Sequence, residues 1–228
     1  MKKLNKGLIV SCQALKGEPM YGGDSIKKFA YAAFLAGANG IRANTIKDIN
    51  GIYRKINGAL PIIGIIKKDY KDSEVYITST LKEVKKLIRS KCDVIALDAT
   101  LRKRPNDEKL EDLVKFIKTH SNKLIMADCA TEEEILNAEN LGFDYVSTTL
   151  RSYTSKTKGI KIPDLEFIKN IKYKLTKSIL IVEGGIDSPS TLKSVLDLGI
   201  EYVVIGGAIT RPLQITKRYL QEFKVEKN

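Results

Sequence analysis

Four short apolar runs in this chain each stop at one polar or charged residue: LPIIGIIK at Lys67, DVIALD at Asp98, KLIMAD at Asp128 and SILIVE at Glu183. Runs this short and this apolar, bounded by turn residues and separated by helical patterning, read as parallel strands buried on both faces. Such strands need helices over them, so the pattern confines the chain to α/β architectures. Those architectures gather ligands at the carboxyl ends of their strands, where the lone polar residues fall.

The same reading extends along the whole chain. Strands are predicted at 7–13, 40–44, a third ending at Lys67, then 92–98, 123–128, 144–149, 178–183 and 201–206. Helices are predicted at 24–35 and 46–56, from Ser79 or Thr80, at 110–118 and 131–142, from near Pro163, at 188–199, and from Pro212. Thr131 and Glu134 form a capping box for one of them, with Gly142 at its end. Eight strands alternating with eight helices, and no composition break, predict one (β/α)8 TIM barrel over residues 1–228. An open doubly wound sheet is the alternative, and the lack of GxGxxG after the first strand argues against it.

Side chains two apart along a strand share a face. Lys67 then shares its face with Ile65 and Ile63, Glu183 with Ile181 and Ile179, Asp128 with Met126 and Leu124, and Gln13 with Ser11 and Ile9. Arg42 plays the same part on the second strand. One strand-end charge can simply turn to solvent. Five such groups on separate strands of one barrel predict a ring around the carboxyl-end mouth. The third and seventh strands stand opposite in an eight-stranded barrel. Lys67 and Glu183 are therefore expected to flank a bound ligand, a placement suited to proton transfer. Glycine pairs follow the last two strands, Gly184–Gly185 and Gly206–Gly207, with Arg211 just before the last helix. Barrels commonly bind phosphate on backbone N–H groups at these two positions, although tight turns need glycine as well.

Composition narrows the chemistry further. His120 is the only histidine and no CxxC pair exists, which removes the usual zinc sets and any histidine-based triad. Cys12, Cys92 and Cys129 sit in or beside apolar runs and read as reduced, buried thiols. The net charge of +12 is spread over nearly every helix, without tryptophan and without an RNA-binding signature. That pattern fits solvated helix faces and attraction for small anions; nucleic acid is not expected as a partner. The apolar stretch GLIVSC is too short for a signal-peptide core, and no run approaches a membrane span. A cytoplasmic protein without a membrane partner is expected. Apolar helix faces allow a homodimer but mark no unique seam.

The segments GLIVSCQAL, GIRANT, IIGIIKKDY, DVIALDAT, MADCAT, STTLRSYTS and GGAITRP occur in that order along the chain. Together they resemble the bacterial N-acetylmannosamine-6-phosphate 2-epimerases. The resemblance implies a phosphate-binding barrel that interconverts N-acetylmannosamine 6-phosphate and N-acetylglucosamine 6-phosphate in sialic acid catabolism, with no metal and no cofactor. It places the catalytic lysine on Lys67 and the catalytic glutamate on Glu183. Substrate contacts fall on Gln13, Arg42, Asp128, Thr149 and Tyr153, and phosphate contacts on Gly185, Gly206, Gly207 and Arg211. The chain reads VEGGIDSP where the family often reads AEG, a varied residue and then a T-P pair, which bears on the contacts around Gly185. Removal of a proton from carbon 2 by a lysine requires a lowered lysine pKa, through burial or a neighbouring cation, for which Arg42 is the candidate. A Schiff-base aldolase using Lys67, or another sugar-phosphate isomerase, is the competing enzyme reading.

Overall fold

The computed structural model describes residues 2–225. Its strands are β1 (Gly7–Cys12), β2 (Gly40–Asn44), β3 (Ile62–Ile65), β4 (Val94–Asp98), β5 (Leu124–Asp128), β6 (Tyr145–Ser147), β7 (Ile179–Glu183) and β8 (Tyr202–Ile205). They pair in parallel, each with its neighbours in sequence, and β8 returns to β1, so the sheet closes. The helices are α1 (Ser25–Leu35), α2 (Ile46–Lys55), α3 (Leu81–Ile88), α4 (Leu110–His120), α5 (Glu132–Asn140), α6 (Leu165–Lys174), α7 (Pro189–Leu196) and α8 (Pro212–Val225). The fold is the (β/α)8 TIM barrel expected from the strand pattern.

Strand alternation divides the apolar residues into two cores. Ile9, Ile63, Ile65, Val94, Ala96, Met126, Ile181 and Val204 fill the barrel interior. Val10, Ile41, Ile62, Ile95, Leu97, Ile125, Leu180 and Val182 point outward and pack with helix residues such as Ile49, Leu87, Ile117 and Ile135. Each fully buried isoleucine or leucine contributes roughly 2–3 kcal/mol, so a one-residue slip of any strand would be strongly disfavoured. That fixed parity turns the polar strand ends inward.

Local caps set where the helices start. Thr131 Oγ1 accepts from Glu134 N at 3.3 Å, and Glu134 Oε2 accepts from Thr131 N at 3.0 Å. The predicted capping box is therefore formed, and Thr80 with Glu83 forms a second one at α3. Ser188 caps α7, with Pro189 in its first turn.

Several strands are shorter than predicted. β1 stops at Cys12, β3 at Ile65 and β8 at Ile205, while β4 begins at Val94 and β6 spans only Tyr145–Ser147. The reason is clearest after β3. There the chain leaves the barrel ladder and pairs with residues 76–78: Lys68 N donates to Tyr76 O at 2.9 Å and Thr78 N to Ile66 O at 2.8 Å. An antiparallel bridge joins Lys67 to Ile77 within this small ribbon. The helix expected near Pro163 starts at Leu165, because the Asp164 side chain accepts from Phe167 N and sets its first turn.

Candidate active site

A cavity of about 720 Å³ opens at the carboxyl-end mouth. Gln13, Arg42, Lys67, Thr149, Tyr153, Glu183, Gly185, Gly206, Gly207 and Arg211 all line it, so ten of the eleven residues singled out in the sequence converge on one space. Asp128, the eleventh, lies beneath it, fully buried. Its volume suits a ligand the size of a sugar phosphate.

The floor of the cavity is built around Arg42, which is only 1% exposed. Register explains its depth. Arg42 stands level with Ser11 of β1 and Ile63 of β3, one inward-facing step below the end of β2. Its guanidinium makes a two-pronged contact with Asp128, Nη1 to Oδ1 at 2.9 Å and Nη2 to Oδ2 at 2.6 Å. Such fork-to-carboxylate geometry holds both planes in one orientation. Nη1 also lies 3.0 Å from Glu183 Oε2, so the arginine links β2 to β5 and β7 across the interior. Burial alone would favour the neutral guanidine; Asp128 and Glu183 outweigh it and raise the pKa. Asp128 also accepts from Ser147 Oγ at 3.1 Å, which leaves it the counterion of Arg42, below the space a ligand would occupy.

Lys67 rises just beyond β3, the strand next to that of Arg42. The ribbon described above fixes its backbone, and its N–H donates to Asn44 Oδ1 at 2.9 Å. Its ammonium has no carboxylate partner among the described residues, and lies 6.0 Å from the Tyr76 ring centroid. Burial first and Arg42 second push its pKa down to about 8, against the opposing pull of Glu183. A lysine so placed is neutral for a useful fraction of the time near physiological pH.

Glu183 faces this lysine from β7. Thr149 Oγ1 donates to its Oε2 at 3.0 Å, and Ser147 and Thr149 hydroxyls lie 2.7 Å apart. Burial is the largest influence on the Glu183 carboxyl and, with Asp128, raises its pKa in spite of Arg42. The Thr148 hydroxyl clamps the Glu183 backbone on both sides, accepting from its N–H at 3.1 Å and donating to its C=O at 2.8 Å. Gln13 donates from Nε2 to Ser11 Oγ at 2.8 Å, while its Oε1 is buried with no protein partner. Tyr153 is 60% exposed and stands at the rim.

The other end of the cavity is glycine-lined. Gly185 has φ +71°, and a β-carbon there would lie 2.3 Å from the Ile162 carbonyl, so no larger residue fits. A β-carbon on Gly207 would sit 2.7 Å from Gln214 Oε1. Thr210 Oγ1 donates to Ser11 O at 2.7 Å and ties this loop to β1. Arg211 is held only loosely, 3.6 Å from Glu18 Oε1. The glycine turns after β7 and β8 and a loosely paired arginine make a cradle for an anion.

Four polar groups that line the cavity escaped the sequence reading: Tyr76, Asp187, Gln214 and Arg218. Asn44, which ends β2 on the same face as Arg42 and could have been found by alternation, supports the site from outside the lining by accepting from Lys67 N. Tyr76 lies in a loop without periodicity, and nothing in the sequence marks it. Asp98 shows the reverse case: it has the same strand-end signature as Asp128, yet it is fully buried against Thr100 and Arg102 and does not line the cavity.

The fold and site together define a (β/α)8-barrel enzyme with a lysine and a carboxylate across one mouth and an anion cradle at its side. Residues 26–225 match the family model described as "Putative N-acetylmannosamine-6-phosphate epimerase". The chain belongs to that epimerase family. It is 51% identical over 221 residues to a putative N-acetylmannosamine-6-phosphate 2-epimerase of Staphylococcus aureus strain MSSA476, covering 96% of this chain and 98% of that one. It also superposes on the N-acetylmannosamine-6-phosphate 2-epimerase of Clostridium perfringens with a TM-score of 0.89 and 50% identity, over 94% of this chain and 92% of that chain. A thiamine phosphate pyrophosphorylase from Pyrococcus furiosus shares the fold alone, with a TM-score of 0.63 and 16% identity.

Proposed function

We propose that this enzyme interconverts N-acetylmannosamine 6-phosphate and N-acetylglucosamine 6-phosphate by removing and returning the proton on carbon 2. The observation that carries the mechanism is Lys67: a lysine without a carboxylate partner among the described residues, with its pKa lowered to about 8, in a cavity that ends in a glycine–arginine cradle. In the open-chain sugar, the proton on carbon 2 lies beside the carbonyl of carbon 1. Neutral Lys67 takes that proton, the C–H electron pair becomes the C1–C2 double bond, and the carbonyl pair moves onto oxygen 1. After the enolate turns in the cavity, the oxygen 1 pair re-forms the carbonyl, the C1–C2 double-bond pair takes a proton from the Lys67 ammonium on the other face of carbon 2, and the epimer results. Nothing is oxidised or reduced, and the step as written draws only on side chains of the site, so it calls on neither a metal nor an organic cofactor.

The remaining roles follow from position. Arg42 places a fixed positive charge beneath the developing enolate, where preorganised charge has the greatest effect. Asp128 holds Arg42 in place, and would influence substrate through it. Glu183, with its raised pKa and its Thr149 donor, is suited to proton handling during ring opening. Gln13 offers an unpartnered acceptor to the acetamido N–H or a hydroxyl. Gly185, Gly206, Gly207 and Arg211 receive the phosphate, and Tyr153 contacts the substrate at the rim.

The substrates are amino-sugar phosphates, which fits a role in sialic acid catabolism in the cytoplasm; among the described residues no helix is long and apolar enough to cross a membrane. A homodimer is the assembly we propose, supported by the exposed Leu213, Tyr219, Leu220 and Phe223 along α8. Chromatographic separation of the two 6-phosphates after incubation tests the activity. The intact protein should approach the same mixture from either side, and Lys67→Ala should fold but leave either substrate unchanged. Turnover by that variant at more than a few per cent of the normal rate would remove Lys67 from the base role.

A further inference from the structure

The proton transfer described above leaves one requirement without a donor: a group that can give a hydrogen bond to oxygen 1 as negative charge builds there. Arg42 supplies charge from below, yet its Nη1 and Nη2 make four contacts, with Asp128, Glu183 and the sulfur of Met126, and its unpartnered Nε is itself buried. Tyr76 lines the cavity beside Lys67. Its backbone is locked in the ribbon that also fixes Lys67, through the Lys68 N to Tyr76 O bond and the adjoining Lys67–Ile77 bridge. Its ring packs on the inner barrel core, so the phenol projects from an apolar wall into the mouth. Two other barrel tyrosines have their hydroxyls occupied. Tyr145 accepts from Leu4 N at 3.1 Å, and Tyr70 donates to Glu83 at 3.0 Å. No hydrogen bond from the Tyr76 phenol to a protein group occurs among the described residues. A half-buried tyrosine hydroxyl normally finds a partner, and here the remaining partner is whatever fills the cavity.

We propose that Tyr76 is a further catalytic residue of the epimerisation, donating its phenol O–H to oxygen 1 of the open-chain substrate; this rests on the epimerase reading of the site. As Lys67 takes the carbon 2 proton, the carbonyl electron pair moves to oxygen 1, and the phenol hydrogen bond to that oxygen shortens. When the carbonyl re-forms and the Lys67 ammonium returns a proton to carbon 2, the phenol keeps its own proton, so the cycle consumes nothing. The electrostatics of the pocket suit the role. Burial, with the nearby charges of Asp128 and Asp98, pushes the Tyr76 pKa up to about 12, against Arg102 and Arg42. The phenol is therefore a protonated donor over the whole range in which Lys67 passes from ammonium to amine.

Tyr76→Phe removes only the hydroxyl. We expect kcat to fall about 100-fold, the scale of losing one such donor, with KM changed less than about three-fold. Deuterium entry at carbon 2 in D2O should fall by the same factor, and the melting temperature should stay close to that of the intact protein. A kcat within about three-fold of the intact protein would overturn the role. Should the phenylalanine variant fold poorly, fluorotyrosine at position 76 keeps the shape and the donor while acidifying it. An alkaline loss of kcat should then move to lower pH, and an unmoved profile would overturn the proposal. Absence of turnover by the intact protein would overturn the epimerase reading and the Tyr76 role with it. Normal turnover by both proteins would overturn the Tyr76 role alone.

Discussion

Lys67 should cost the protein stability, and its removal should show how much. Its pKa falls from the ordinary 10.5 to about 8 through burial and the Arg42 charge. That difference corresponds to about 3 kcal/mol, and residual solvent screening reduces the realistic figure to ~2 kcal/mol. The sign follows from proton binding. Between pH 8 and 10.5 the unfolded chain holds the Lys67 proton and the folded chain does not, so stability rises with pH across this window. Below it, both forms are charged and the cost is fully present; above it, both are neutral and the cost is gone. Lys67→Met keeps the length of the side chain and deletes the charge. At pH 7 the variant should melt ~4–8 °C higher than the intact protein, on a scale of about 2–4 °C per kcal/mol for a domain of this size. The gain should shrink steadily as the pH of the scan rises past 8 toward 10.5. Calorimetry at a series of pH values measures it directly. A variant no more stable than the intact protein at pH 7, or a gain independent of pH, would refute the idea that the site holds its lysine under electrostatic strain.

Three further outcomes follow from the same geometry. The turnover rate should climb with pH as Lys67 loses its proton, with a midpoint near 8; a rate flat between pH 6 and 9 would exclude a lysine base titrating there. Arg211→Ala should raise KM at least ten-fold with kcat nearly unchanged, because its loose Glu18 contact leaves it available to phosphate; steady-state kinetics on the 6-phosphates would show this, and an unchanged KM would remove it from the cradle. Asp128→Asn takes the counterion from a guanidinium 1% exposed and should destabilise the fold by about 3 kcal/mol, visible as a lower urea midpoint.

The barrel and the ring of polar strand ends were legible in the sequence because burial on both faces leaves a continuous apolar run, and strand parity then dictates which end residue turns inward. Lys67, Glu183, Asp128 and Gln13 follow from that rule alone. Depth was not legible. Arg42 sits below the mouth because β2 is staggered against its neighbours, and register between strands leaves no mark in the sequence of either one. For the same reason Asp128 reads as a rim residue, although Arg42 covers it. Asp98 and Asp128 carry the same signature and sit side by side on paired strands. What separates them is a partner four residues on, Arg102, whose side chain folds back over Asp98. Tyr76 was invisible because a loop has no period, and only the ribbon pairing of Lys67 with Ile77 brings it to the site.

The most direct test is a proton NMR time course of the purified protein with N-acetylmannosamine 6-phosphate in D2O. In D2O the Lys67 ammonium carries the substrate proton beside two solvent deuterons, so proton removal and return by Lys67 predicts N-acetylglucosamine 6-phosphate carrying deuterium at carbon 2 in most molecules, with the substrate's carbon 2 proton signal lost at the same pace. Conversion that keeps the original proton on carbon 2, or no conversion by folded protein, would contradict it.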